Sequence, residues 1–260
     1  MDSWMVTRLP PPDSLSTSPV VPLQHAIEWS LCPSPWASNH QRTGETMAAP
    51  FDLKETDRLL STTRAVRRRL DLERPVEREV ILDCIRLSQQ APTASNTQQW
   101  RWLVVMDPEK RKAVGEIYGR GKQFIDQARA QLPDADAQTH RVYDSAGWLL
   151  DHMGEVPALV IPCLQGRLPD GAPHGMAAAI YGSIFPAMWN FQLALRSRGL
   201  GSTLTTISLF FEADIAKLLN IPDDVMQVAL LPVAYTVGTD FKLAVRQPPE
   251  EITCFDEWSS

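Results

Sequence analysis

The run MAAAIYGSIFPAMWNFQLALRSR, Met176 to Arg198, closed by Gly199, decides the fold. Ala177, Ile180, Ile184, Met188, Phe191 and Leu195 recur at helical spacing, and Tyr181, Phe185 and Trp189 widen the apolar stripe beyond one face. A helix that is hydrophobic almost all round has to be covered on every side. It is therefore either the central core helix of a large domain or part of a dimer interface. Arg196 and Arg198 face the negative end of the helix dipole, and Gly199 supplies a left-handed C-terminal residue.

Working outward, residues 201–206 form a short segment, Phe211 to Leu219 a helix closed before Pro222, and Gln227 to Val237 one long strand. On the N-terminal side, a turn-rich run from Gly166 to Gly175 follows a strand at Ala158 to Ile161 and a helix around Trp148, Leu149 and Leu150. Residues 119–146 are polar, with no strong core stripe, and are expected to form a mobile helical lid. Trp102 to Met106 reads as a strand ended by Asp107-Pro108, which opens another helix. Val80, Ile81, Ile85 and Leu87 mark a helix bracketed by Pro75 and Pro92, and Leu53, Leu59 and Leu60 lie on a shorter one. Helices first, then strands separated by helices of unequal length, give an α+β domain with a mixed sheet flanked by helices. The even cadence of a doubly wound fold is missing. Residues 1–46 hold seven of the 21 prolines together with many Ser and Thr, and are expected to be a disordered leader, with residues 47–260 as the folded domain.

With 260 residues and 44% apolar side chains, the chain can bury a sizeable core. No stretch reaches the roughly 18 apolar residues of a spanning helix, and the N-terminus lacks the basic and apolar regions of a signal peptide. A cytoplasmic protein with no membrane partner is the expectation. A net charge of -6 argues against nucleic acid as partner, so any anion site must be local. Cys32, Cys84, Cys163 and Cys254 form no metal-binding pair, and His152 with Glu155 lacks a third ligand, so no metal is expected.

Three clusters carry polar chemistry, and none pairs a nucleophile with a base. Arg64-Ala65-Val66-Arg67-Arg68-Arg69 concentrates four guanidinium forks, a geometry suited to phosphate, where the bland alternative is a solvated charged turn. Residues 91–100, APTASNTQQW, are rich in short donors and acceptors and lead directly into a strand. Residues 199–206, GLGSTLTT, lack the third glycine of a nucleotide loop and follow a helix; the hydroxyl run is not explained by a helix cap.

Taken in order, these clusters and a late Arg246 resemble the FMN-dependent nitroreductase family from about Phe51 to Trp258. The resemblance implies a homodimer with FMN at the subunit interface, a long central helix in that interface and C-terminal residues embracing the partner. It implies that Arg64, Ala65, Val66 and Arg67 or Arg68 contact the FMN phosphate and ribityl chain, and that Ser95, Asn96 and Gln98 form the polar edge of the site. Leu204, Thr205 and Thr206 lie against the ring and offer a backbone N–H toward N5, and Arg246 closes on the phosphate. NADPH or NADH is the implied donor and a nitroaromatic or quinone the implied acceptor, taken in turn at one slot. The flavin itself does the chemistry, so no catalytic side chain is required. Phe124 and Trp148 are candidate walls of the acceptor pocket, with core packing as the alternative. Flavin reductases, other flavin-dependent dehydrogenases and non-catalytic flavin sensors share the implied architecture. Ala65 stands where Ser is common, Gln99 where Pro is common and Arg69 near an aromatic position; losing one neutral hydrogen bond costs about 1 kcal/mol.

Overall fold

The computed structural model describes residues 50–132 and 137–258, all within the unit Ala49–Ser260. The expected leader at 1–46 lies outside the described residues. Helices α1 (Leu53–Thr62) and α2 (Arg78–Ser88) precede strand β1 (Trp100–Val105). Helices α3 (Pro108–Gly119), α4 (Lys122–Ala130) and α5 (Ala137–His152) lead into β2 (Ala158–Gln165). Helix α6 (His174–Ser197) leads into β3 (Leu200–Ser202), and α7 (Glu212–Leu219) precedes β4 (Val225–Gln227) and β5 (Leu231–Tyr235). The α+β expectation holds. Local chemistry sets the starts: the Asp52 carboxylate accepts the Glu55 N–H at 3.2 Å, and Asp107 accepts the Lys110 N–H at 2.9 Å with Pro108 as the first helical residue.

The sheet runs β1-β2-β5-β3, with β4 also beside β2. These strands pair antiparallel, while isolated bridges at Ala65–Ser202 and Gly166–Val225 run parallel. Strand β2 is buried on both faces, and its two-residue period sorts its side chains into two cores. Leu159, Ile161 and Cys163 meet Val114, Tyr118, Leu149 and Ile215 from α3, α5 and α7. Ala158 and Val160 meet Ile81 and Cys84 of α2 and Phe191 and Leu195 of α6.

Helix α6 has one face in the core and an opposite face left open. Ile184, Met188, Phe191 and Leu195 are fully buried, each such side chain contributing about 1.5–3 kcal/mol. The opposite stripe stays open in the single chain, with Phe185 at 40% and Trp189 at 44% exposure beside exposed Ala178 and Gly182. Half of the apolar surface is thus a core face and half is unpartnered.

Two sequence expectations change. The strand placed at 158–161 continues through Pro162 to Gln165, and the long strand placed at 227–237 is split into β4 and β5. Pro162 accounts for the split. Pro162 has no N–H, so opposite Val228 only the bond from Val228 N–H to Pro162 O, 3.0 Å, can form. The register then slips by one residue, from Cys163 opposite Gln227 to Val160 opposite Leu231. This is a bulge, where proline in a central strand is tolerated. It turns the Leu230 backbone away from β2 and toward Thr205.

Candidate functional site

The arginine cluster and the glycine-hydroxyl segment come together along the edge of β3. Val66 N–H donates to Ser202 O at 2.9 Å, and Asp71 N–H and Val237 N–H tie the same stretch to Tyr235 O and Arg69 O at 2.8 and 2.9 Å. Gly201 permits this approach: a Cβ there would lie 2.6 Å from Thr236 Cγ2 and 2.9 Å from Val66 Cβ. The left-handed Gly199, φ 78°, ends α6 and turns the chain into β3 as its basic last turn anticipates.

The four arginines have different fates. Arg67 is partly buried; its Nη1 donates to Ser145 Oγ at 3.3 Å, and no described carboxylate pairs with it. Burial holds its pKa below the ordinary guanidinium value. Arg68 donates to Asp144 O of α5 at 3.2 Å. Arg69 pairs with Asp240 at 2.6 Å, donates to Val237 O, and lies 4.3 Å over the Phe241 ring, so it fastens the C-terminal segment. Arg64 is half-buried and makes no hydrogen bond or ion pair to a described residue. A hollow of about 180 Å³ is lined by Ala65, Val66, Arg67, Arg68, Arg69, Ser145 and Phe241.

Next to it, Thr205 exchanges backbone hydrogen bonds with Leu230, while its Oγ1 is buried without a partner. Tyr118 is buried below this segment. Burial raises its pKa, and the neighbouring Thr205 hydroxyl and Arg67 charge oppose that rise; the two hydroxyls face each other without closing a hydrogen bond. Neither Leu204 N–H nor Thr206 N–H donates to a described residue. Arg67 and the Leu204–Thr206 segment therefore offer a partly buried cation, two uncommitted backbone donors and an orphaned hydroxyl.

Residues 93–98 form a second, separate element in the single chain. Ser95, Asn96 and Gln98 are left-handed, with φ of 51°, 53° and 49°, a conformation costing non-glycine residues about 1 kcal/mol or more each. The strain is held by Asn96 Oδ1 accepting from Gln98 Nε2 at 2.9 Å and by Ser183 of α6. The Ser183 hydroxyl accepts from Ala94 N–H at 2.9 Å, and its carbonyl accepts from Trp100 Nε1 at 2.7 Å. Ser183 is an anchoring residue that the sequence reading missed; a serine on the buried face of an apolar helix was the available signal. A hollow of about 140 Å³ lies between this loop and α6.

Arg246 is exposed and bonds only its own neighbour, Val245 O, so in one chain it joins neither element. Trp148 is partly buried against the core and sits 4.4 Å from the His152 ring. His152 Nδ1 lies 3.0 Å from Glu155 Oε1. Phe124 of α4 stacks on Phe210, centroids 4.6 Å apart. A hollow of about 860 Å³ runs over α3 and the end of α5 between mixed charges and takes in none of the expected residues.

Residues 60–235 match the sequence model of the Nitroreductase family. The chain belongs to the nitroreductase family. A relative named iodotyrosine deiodinase from Thermotoga neapolitana is 27% identical over 177 residues, covering 68% of this chain and 86% of its own length. Among solved structures, oxidised iodotyrosine deiodinase bound to FMN and 3-iodo-L-tyrosine superposes with a TM-score of 0.57 at 22% identity, over 78% of this chain and 98% of the other. The FMN and NADPH-dependent nitroreductase NfnB of Sphigopyxis sp. strain HMH gives 0.56 at 15% identity, over 78% and 99%. This nitroreductase-family oxidoreductase thus carries the nitroreductase fold, and none of its described helices is long and apolar enough to cross a membrane.

Proposed function

We propose that this chain binds FMN between two copies of itself and passes hydride from NADPH or NADH to nitroaromatic or quinone-like acceptors. The observation that carries the reading is Arg67, a partly buried guanidinium without a described carboxylate partner, on a stretch that Val66 ties to Ser202, just before the uncommitted N–H groups of Leu204 and Thr206. A dianionic phosphate would relieve that desolvated charge, and the donors suit the polar edge of a heterocycle.

Arg64 and Arg67 would hold the phosphate, with Val66 fixing them against β3. Thr205 and its neighbours would lie against the ring, with Thr206 or Leu204 N–H directed at N5. Bound FMN supplies two-electron hydride chemistry. The protein's part is to orient donor and acceptor at one position and to keep water away, which is why no general base is needed.

Size supports the dimer. The hollows at the arginine cluster and at the 93–98 loop are about 180 and about 140 Å³, well below the roughly 300–1,000 Å³ of a ligand site. The exposed stripe of Phe185 and Trp189 beside the second hollow, and the exposed Leu243, Val245, Phe255 and Trp258 of the C-terminal segment, suit burial against a second copy. Ser95, Asn96, Gln98 and Arg246 would then complete the site. A cytoplasmic setting matches a nicotinamide donor.

Reductive deiodination is a second reading, favoured by the Thermotoga neapolitana relative. One experiment separates the readings. The purified protein is expected to be yellow, to bleach anaerobically with NADPH or NADH, and to recover colour on adding a nitroaromatic. Recovery with 3-iodo-L-tyrosine and not with nitroaromatics or quinones would favour deiodination, and a colourless protein that takes up no FMN would remove both.

A further inference from the structure

Phe210 is 69% exposed on the turn Ile207–Phe211, four residues beyond Thr206. A single exposed phenylalanine is ordinary on a protein surface. Its setting is not. The ring stacks on Phe124 of α4 at 4.6 Å with planes 30° apart, and Phe124 also lies 6.4 Å from Phe211.

The support beneath this pair is rigid. The Arg120 guanidinium sits 4.4 Å over Phe211 and pairs with Asp214 at 2.5 Å. Gly121, just before α4, meets the same turn so closely that a Cβ would fall 2.1 Å from Ile207 Cγ2. The turn and the α3–α4 junction are therefore fastened at several points, while one face of the Phe210 ring is left to solvent. The segment proposed to lie against the flavin runs directly into this shelf.

We infer that Phe210, backed by Phe124, is a specificity-determining residue that stacks the ring of a planar aromatic acceptor at the mouth of the site. This rests on the flavin reading of residues 204–206. Offset stacking favours electron-poor rings against the electron-rich face of phenylalanine, so nitroaromatics gain more than compact acceptors do.

The test uses the full chain loaded with FMN, with Phe210→Ala, Phe210→Trp and Phe124→Ala. Turnover is measured with a nitroaromatic, a quinone and ferricyanide, a compact oxidant that presents no ring to stack. The expected result for Phe210→Ala is an approximately tenfold fall in kcat/KM for the two ring acceptors, carried by KM, with ferricyanide turnover and flavin content unchanged. Phe210→Trp restores the ring acceptors. Calorimetric binding of 4-nitrobenzoate weakens in parallel and does not depend on turnover. If Phe210→Ala leaves the ring acceptors and nitrobenzoate binding within twofold, lowers ferricyanide equally, or splits the dimer, the assignment is wrong. A wild-type chain that holds no FMN defeats the flavin reading instead, and nitrobenzoate binding still decides the role of the shelf.

Discussion

Thr205 and Leu230 exchange both of their backbone hydrogen bonds, N–H to O at 3.1 Å in one direction and 2.9 Å in the other. The bulge opposite Pro162 makes this exchange possible, because it frees Leu230 from β2. A fully buried residue between β4 and β5 therefore clamps the middle of the Leu204–Thr206 segment and leaves its two flanking amides uncommitted. Amide hydrogen exchange should show that pattern. Thr205 and Leu230 are expected to be strongly protected without cofactor, and Leu204 and Thr206 to exchange fast until FMN is added. Protection of Thr206 that does not change with FMN would exclude it as the donor to the ring, and the same result at Leu204 would exclude that amide.

Arg67 separates stability from binding. A partly buried cation without a carboxylate carries a desolvation cost that nothing offsets, and replacing such a group by an apolar side chain of similar length is often neutral or stabilising. Arg67→Met should therefore melt no lower than wild type in the absence of cofactor. Its affinity for FMN should fall at least tenfold, since a charge-assisted bond to phosphate contributes about 1.5–3 kcal/mol. Thermal melts with and without FMN check both halves. A variant that loses stability without cofactor while keeping its FMN affinity would assign Arg67 to structure alone, through Ser145.

Much of this arrangement was legible in the sequence because it depends on local rules. The helical spacing of Ile184, Met188, Phe191 and Leu195 gave α6, and Asp107-Pro108 gave the start of α3. The convergence of the arginine run with residues 202–206 was suggested only by family resemblance, since Val66 and Ser202 are distant in the chain and their pairing is a property of the sheet. The break between β4 and β5 was hidden because its cause, Pro162, sits on a neighbouring strand. Arg67 and Arg68 stand as alternatives in the sequence; nothing local shows that the Asp144 carbonyl occupies Arg68 or that Asp240 occupies Arg69. Phe210 lies just before the helix read at Phe211 to Leu219 and carries no signal of its own, because stacking between two short elements has no sequence period.

The buried thiols set the alkaline limit. Burial pushes Cys84 up to about 11 and Cys163 up to about 12, from an unfolded value near 9. A group whose pKa is raised on folding stabilises fully below its unfolded value and loses that contribution as pH climbs to the folded one. Stability to urea is thus expected to decline from about pH 9 toward pH 11 and beyond. Cys84→Ala with Cys163→Ala should flatten that slope relative to wild type, even though the double variant starts less stable. An identical slope in both proteins would mean that other groups set the alkaline limit.

Two glycines make opposite predictions from the space around them. At Gly147, inside α5, an added Cβ meets nothing within 4 Å, so Gly147→Ala should stabilise by about 0.5–1 kcal/mol through helix propensity. At Gly201 the same methyl would lie 2.6 Å from Thr236 Cγ2 and 2.9 Å from Val66 Cβ, so Gly201→Ala should destabilise by about 1–3 kcal/mol through overpacking. It should also weaken FMN binding, because relief of the contact moves Val66 and the arginines away from β3. Thr236→Ser removes the closer methyl and keeps the hydroxyl that donates to Gly199 O at 3.2 Å. In the Gly201→Ala background it should recover part of the stability and little of the FMN affinity, since Val66 still blocks the new methyl. Full recovery of both would show that Thr236 alone sets the limit, and that the approach of Val66 to Ser202 does not position the arginines.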